Sequence, residues 1–213
     1  EGHSIWYFRA FDYVGVDRET GAAQFRNHEG KIVASSELTD EDMTDIGSAI
    51  PKFTYGITLN LEYKGFDFTA FGTGVAGNKI FNILYRADSP LRNSLKYYMD
   101  NAWTPENKGA SMPAVNNVAT DLNFWSSSAA MFNGSYFKIK QLQLGYTLPK
   151  RLTQKVAIKD LRFFVSLDDF FTFSNYPGMD PETATTGNNG GAGFDIGSYP
   201  TMKKCSFGAS FSF

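Results

Sequence analysis

The stretch KFTYGITLNLEYKGFDFTAFGTGVA, residues 52–76, decides the fold. Its first half sets Phe53, Tyr55, Ile57, Leu59, Leu61 and Tyr63 against Lys52, Thr54, Gly56, Thr58, Asn60 and Glu62. Successive side chains of a strand point to opposite faces, so this period of two predicts a strand with one apolar and one polar side. Lys64 and Gly65 make a two-residue turn. From Phe66 to about Ala76 the pattern resumes, with Phe66, Phe68 and Ala70 opposite Asp67, Thr69 and Thr73. The two halves read as a β-hairpin.

The same alternation recurs downstream. Residues 135–148 carry Phe137 and Ile139 at odd positions, then Leu142, Leu144, Tyr146 and Leu148 at even ones. Either a bulge near Lys140 and Gln141 resets the phase, or the upper part of this strand turns inward to pack. Over 161–173, Leu161, Phe163, Val165, Leu167, Phe171 and Phe173 are apolar, interrupted by Asp169. The last strand, about 200–213, places Cys205, Phe207, Ala209, Phe211 and Phe213 on one face and Ser206, Gly208, Ser210 and Ser212 on the other. A weaker strand covers 4–14, rich in aromatics but without clean alternation. The reading is an all-β chain of about six antiparallel strands, the number these patterns supply.

Composition narrows the setting. Aromatic residues make up 16% of the 213 residues, with 20 Phe and 11 Tyr, yet the mean hydropathy is -0.29. No run approaches the ~20 apolar residues of a membrane helix, which excludes a helical membrane protein. A transmembrane β-barrel fits, because only alternate residues of each strand meet lipid and the average stays polar. The net charge of -2 gives no electrostatic case for nucleic acid. Cys205 is the single cysteine and serves as a small packing or lipid-contact residue. The chain opens on Glu1, Gly2 and His3 without the basic start and apolar run of a signal peptide, and so reads as a mature product or a fragment.

The connections between strands alternate in length. Long ones run 15–51, 78–134 and 174–199, and short ones run 64–65 and 149–160. Outer-membrane barrels have short periplasmic turns and long extracellular loops; with the C-terminus in the periplasm, every long connection falls outside. Six strands cannot close such a barrel, since the smallest have about eight, and open edges in lipid would leave backbone groups unpaired. The chain is therefore expected to be the C-terminal piece of something larger, or one stave of an oligomer. The competing class is a self-contained soluble β-sandwich, a glycan-binding module using the same aromatic loops.

Chemistry-bearing groupings are sparse. The acidic stretch Glu37, Asp40, Glu41, Asp42 and Asp45 offers oxygen ligands but lacks the spacing and mid-loop glycine of an EF-hand, and reads as a solvated loop. The run GNNGGAG from Gly187 has no following Lys-Ser/Thr and helix start, and reads as a loop. His3 and His28 are far apart and have no metal-site spacing. The serines from Ser126 sit in nothing like a nucleophile elbow, so no enzyme activity, metal or cofactor is implied. Loop 78–134 carries Tyr85, Tyr97, Tyr98, Trp103, Phe124 and Trp125 among polar residues, with a short helix expected over 91–101. Such rings either stack on the apolar patches of sugars or pack the loop onto itself or a partner protein. Tyr97, Tyr98, Trp103, Trp125 and Asp180 are the candidates for substrate or partner contact. In YPGMDPE, from Tyr176, Pro177 fixes a backbone angle and Gly178 permits a positive φ, which predicts a rim turn.

Several segments together resemble the C-terminal barrel region of the SusC/RagA family, the TonB-dependent outer-membrane importers of Bacteroidetes. They are IPKFTYGITLNLEYKGFDFTAFGTGVAGNKI from Ile50, WTPEN from Trp103, GSYFKIKQLQLGYTLPK from Gly134, LRFFVSLDDFFTFSNYPGMDPE from Leu161 and YPTMKKCSFGASFSF from Tyr199. YVGVDRETGAAQF from Tyr13 looks like the family's preceding segment, so the resemblance covers nearly the whole chain. It implies that residues 1–213 form the C-terminal part of a transmembrane barrel of about 22 strands, the size of outer-membrane transporters whose lumen is plugged. The plug would lie outside this chain. The resemblance further implies import of oligosaccharides or peptides with a SusD-like surface lipoprotein, energy relayed by a TonB complex, and a bacterial outer-membrane location among outer-membrane lipids. Phe207, Phe211 and Phe213 resemble the terminal signal read by the barrel-assembly machinery. One departure stands out: where members often read GQN in the penultimate strand, this chain has Leu167, Asp168 and Asp169.

Overall fold

The computed structural model describes residues 2–3, 5–83, 96–153, 158–186 and 191–213. Its strands are β1 (Tyr7–Val16), β2 (Ala23–Arg26), β3 (Ile32–Ala34), β4 (Met43–Ser48), β5 (Phe53–Tyr63), β6 (Phe66–Ala76), β7 (Lys79–Asn82), β8 (Met131–Asn133), β9 (Tyr136–Thr147), β10 (Asp160–Ser174), β11 (Phe194–Asp195) and β12 (Lys204–Ser212). Its α-helices are short: α1 (Lys96–Asn101), α2 (Val115–Val118), α3 (Leu122–Trp125), α4 (Lys150–Thr153) and α5 (Pro181–Thr186). No described helix is long and apolar enough to cross a membrane. The chain divides into two compact units.

The sheet unit comprises Phe53–Ala76, Tyr136–Ser174 and Thr201–Phe213 and holds one antiparallel sheet in the order β12-β10-β9-β6-β5. The β5–β6 hairpin pairs without interruption from Phe53↔Ala76 to Tyr63↔Phe66. Its two turn residues, Lys64 and Gly65, both take positive φ (48° and 87°), the geometry that lets a two-residue turn follow the twist of its strands. The phase change in β9 is a bulge. Phe71 pairs Gln141 and Gly72 pairs Ile139, so Lys140 is the extra residue against β6. On the other side, Asp169 and Phe170 of β10 together oppose that same stretch, because Asp168 pairs Gln141 and Phe171 pairs Ile139. The bulges keep Phe137, Ile139, Phe171 and Phe173 on the face that holds Leu142, Leu144, Val165 and Leu167.

Register turns these alternations into rows that cross the sheet. One face carries Leu61, Phe68, Leu144, Val165 and Phe207 in line, with Tyr63, Phe66, Tyr146, Phe163 and Ala209 beside them. The opposite face aligns Asn60, Thr69, Gln143, Ser166 and Ser206. On the apolar face, Leu61, Phe66, Leu144, Phe163, Val165 and Phe207 are all exposed. A soluble sandwich would cover such a face.

The loop unit comprises Glu1–Lys52, Gly77–Ser135 and Asn175–Pro200, segments that hold residues 15–51, 78–134 and 175–199 of the expected connections, while Ser174 still belongs to β10. The weak strand expected at 4–14 belongs here as β1, in a four-stranded sheet of order β3-β2-β1-β4, so the large antiparallel sheet has five strands rather than the expected six. The reason is burial: Phe8, Ala10 and Phe11 turn into the unit in an irregular order, with a register shift between Phe8 and Arg9. A second, three-stranded sheet runs β11-β7-β8, its β11–β7 pair parallel. The core joins Phe11, Phe25, Tyr98, Met112, Val118, Phe124 and Trp125; a smaller cluster joins Ile80, Tyr176 and Ala184, and Phe132 packs against both. Of the expected helix over 91–101, α1 is seen, while 91–95 lie outside the described residues.

Candidate functional site

The polar face of the sheet unit is organised by ion pairs and hydrogen bonds. Arg162 reaches across the sheet to Asp67 with a bidentate contact, Nε donating at 2.8 Å and Nη2 at 2.5 Å. Asp67 opposes Gly145 in register, and a Cβ at Gly145 would lie on the Arg162 guanidinium. Glycine there is what gives the pair its path. Planar forks of this kind fix geometry as well as charge. Asn60 Oδ1 accepts from Thr69 Oγ1 at 2.9 Å, and Ser166 Oγ donates to Asp168 at 2.8 Å, extending the polar rows.

At the bulges the face becomes charged. Lys140 Nζ lies 2.6 Å from Asp169 Oδ1, and Asp169 has φ 57°. Left-handed backbone is open to glycine and, among residues with side chains, chiefly to Asn and Asp. Aspartate therefore suits this backbone and adds a charge that meets Lys140. Two residues away, Lys138 is 2% exposed and donates to Thr201 Oγ1 at 3.1 Å.

The loop unit gives its aromatic candidates different tasks. Asp121 caps α3, accepting from Asn123 N and Phe124 N, which turns Phe124 and Trp125 into the core. Trp125 is buried, its indole N–H donates to Val118 O at 2.8 Å, and Tyr98 meets it edge-on with ring centroids 5.4 Å apart. Both rings pack the loop onto itself here, which was the other task open to them. Tyr97 is half-buried and edge-on to Phe132 at 5.4 Å. Trp103 is also half-buried; its indole donates to Arg18 O at 3.0 Å, and its ring covers Gly21, where a Cβ would collide with it. Tyr85 lies outside the described residues, as does the first part of the glycine run, 187–190.

Asp180 is buried and starts α5: its carboxylate accepts from Glu182 N at 3.0 Å, and its carbonyl accepts from Ala184 N and Thr183 Oγ1. Gly178 does not take a positive φ; glycine is needed because Tyr176's ring occupies the space of a Cβ. The buried Tyr176 hydroxyl donates to Asp195 and accepts from Asn82 Nδ2 at 3.2 Å. Burial first and Asp195 second push its phenol well above the ordinary range. Asp42, placed by sequence in a solvated loop, is instead buried. It accepts from His28 N at 2.9 Å and Thr39 N at 2.8 Å, and its Oδ1 lies 2.6 Å from His28 Nδ1. These bonds hold the Asp42 carboxyl well below the usual carboxylate range, and the Asp42 hydrogen bond raises the His28 imidazole.

Sequence reasoning missed these pairs for one reason. Asp67 and Arg162 are 95 residues apart, and only strand register brings them together. The lysines of KIK, 138–140, did carry a local signal: cations inside an otherwise apolar strand must find partners. Among the described residues no three His, Cys, Asp or Glu side chains gather as a metal site. The arrangement offers hydrogen bonds, charges and partly open rings, which is binding chemistry.

No family model matches the chain. It is 30% identical over its whole length to TonB-dependent receptor P3 of Formosa agariphila, covering 22% of that protein. It is 25% identical over 91% of its length to TonB-dependent receptor P26 of the same organism, covering 20% of that protein. Among solved structures it resembles the RagAB peptide transporter, with a TM-score of 0.76 and 24% identity over 97% of this chain and 23% of that one. The RagAB peptide importer in its closed-closed state matches with a TM-score of 0.74 and 25% identity, over 97% of this chain and 23% of that one. The chain thus spans about a fifth of the length of the curated relatives it matches, as the covered shares of 22% and 20% give.

Proposed function

Because the chain belongs with the SusC/RagA-like TonB-dependent receptors of the bacterial outer membrane, we propose that it forms the C-terminal part of an importer's barrel wall together with extracellular loops. The observation that carries this reading is the five-strand row Leu61, Phe68, Leu144, Val165 and Phe207, an apolar face presented outward while the opposite face is polar and ion-paired. In a barrel the first face meets lipid and the second the lumen or a plug. The two outer strands, β5 and β12, pair with strands beyond these residues, as lipid demands of every sheet edge.

The importer takes up oligosaccharides or peptides with a SusD-like surface lipoprotein, and a TonB complex acts through parts of the receptor outside these residues. Segments 15–51, 78–134 and 174–199 lie on the extracellular side. Tyr97 and Trp103, whose rings stay partly open, contact substrate or lipoprotein, while Tyr98, Trp125 and Asp180 hold the shape that presents them. The work is binding and passage with no bond made or broken, in keeping with relatives named as receptors and transporters. Phe207, Phe211 and Phe213 serve barrel assembly, so Phe213→Ala lowers the yield of inserted receptor without altering transport per inserted molecule.

The test is substitution in the full-length receptor. Tyr97→Ala with Trp103→Ala reduces copurification of the surface lipoprotein or binding of labelled oligopeptide or oligosaccharide, while membrane yield stays normal. Unchanged binding and association would sink the loop assignment.

A further inference from the structure

At one end of the sheet unit the strands are joined by the Lys64–Gly65 turn and by the connection that carries α4. The turn is tied to the end of β9, Thr147 N donating to Gly65 O at 2.7 Å, and Lys159 N donates to Ser212 O at 2.8 Å to bring in the end of β12. Among the described residues, this end displays four exposed cations: Lys64, Lys150, Arg151 and Lys159. Among the described side chains, the anions there are Glu62, exposed, and Asp160, half-buried within 3.5 Å of Ser212 Oγ; Asp67 is already committed to Arg162. The local balance is positive in a chain whose net charge is -2.

A second observation places these cations at a boundary. The last complete row of the apolar face before the turns is aromatic on four of its five strands, Tyr63, Phe66, Tyr146 and Phe163, with Ala209 on the fifth, and the Phe66 and Tyr146 ring centroids are 4.4 Å apart. Tyr63 and Phe163 are exposed, and Lys64 Nζ lies 5.1 Å from the Tyr63 ring centroid. Amphipathic rings collect where hydrocarbon gives way to headgroups, and ammonium and guanidinium groups just beyond them sit at the depth of the phosphates.

We propose that this end of the sheet binds anionic phospholipid headgroups through Lys64, Lys150, Arg151 and Lys159, with Tyr63 and Tyr146 marking the interface. The inference rests on the reading of the sheet as a lipid-facing wall. The aromatic row fixes the depth of the barrel, and the cations select the lipid that lies against it. The contact is electrostatic and weakens as salt rises.

The probe is the full-length receptor reconstituted into phosphatidylethanolamine vesicles containing a minority of phosphatidylglycerol, then exchanged into detergent, with retained lipid counted by mass spectrometry. Wild type retains phosphatidylglycerol above its bulk share. Substituting all four cations by Gln lowers that preference at least about fivefold, the factor one basic contact supplies, and returns it toward the bulk ratio. The charge-keeping set Lys64→Arg, Lys150→Arg, Arg151→Lys and Lys159→Arg retains it. Wild-type retention at the bulk ratio, or undiminished preference in the Gln variant, overturns the proposal; the latter is also the result if these cations serve a protein partner instead. Should the wall reading itself be wrong, the receptor would not enter the vesicles, a different failure from entering them without lipid preference.

Discussion

Phe124 and Phe207 are the same side chain in opposite circumstances: the first is 1% exposed in the loop unit and the second 88% exposed in the sheet unit. The difference runs through both units. Every described cluster of buried hydrophobic residues lies in the loop unit, whereas the sheet unit spreads Leu61, Leu144, Val165 and Phe207 over an open face. A chain with 42% hydrophobic residues thus buries them in one unit and exposes them in the other. The loop unit folds as water dictates, with its large apolar side chains inward; the sheet unit leaves its apolar face open, the order that the proposed lipid-facing wall requires.

Core truncation gives the largest effect. In the full-length receptor, Phe25→Ala or Phe124→Ala should destabilise the loop unit by about 3–5 kcal/mol, the range for emptying a buried aromatic site. The loss should appear as protease sensitivity within 15–51 and 78–134, with the barrel still inserted. Barrel loss together with the loops would break the distinction between the units.

The next effect is smaller and sharper. Leu144→Arg, on the apolar row, should cost about 2–4 kcal/mol in bilayer-refolded receptor, the depth-dependent price of a cation facing lipid. Gln143→Arg, one residue along and on the polar face, should stay within about 0.5 kcal/mol. Urea titration in vesicles checks both, and equal costs would dissolve the two-faced account.

Third comes the bulge. Asp169→Val should lose about 1–2 kcal/mol from the left-handed backbone alone, in addition to the Lys140 contact, while Asp169→Asn keeps the backbone and loses only the charge. Urea midpoints should rank wild type, Asn, Val in falling order; a Val variant as stable as Asn would show that φ at this position is not a constraint.

The alternating strands are legible because a sheet with one apolar and one polar face writes that difference into every second residue. Phe53 to Tyr63 alternate without a fault, and the fault in β9 allows a bulge near Lys140 or an inward turn, of which the bulge forms. The first strand was misassigned to the wall because Trp6, Tyr7, Phe8 and Phe11 look equally aromatic whether they face lipid or a core; lack of clean alternation was the warning. Loop candidates were harder still. Trp125 and Trp103 are chemically alike, but only the Asp121 cap and the Gly21 contact determine which is buried and which stays half-open. The ion pair of Asp67 with Arg162 had no local trace at all, since its geometry comes from register across β6, β9 and β10.

The smallest expected effect is a pH dependence confined to the loop unit. His28, raised by Asp42, adds stability that is full below its unfolded value of about 6.5 and is lost as pH rises through the higher folded value. Asp42, lowered chiefly by His28 and Thr39, adds stability present above about 3.9 and lost only as pH falls through its depressed folded value. Hydrogen exchange over 27–42, corrected for the intrinsic rate, should therefore show more protection at about pH 6 than at about pH 8, the window set by the raised imidazole. The wall strands should show no such change, and His28→Gln should abolish it.

The central claim, that one face of the sheet meets lipid and the other does not, is tested most directly by neighbouring cysteines in β12. Cys205 lies on the apolar face opposite Leu167, and Ser206 lies on the polar face opposite Ser166. In a full-length receptor otherwise free of cysteine, a bimane label is placed at Cys205 or, with Cys205→Ala, at Ser206→Cys. Spin-labelled lipid should quench the label at 205 and leave that at 206 unaffected. Equal lipid quenching at the two positions, or none at 205, would contradict the account.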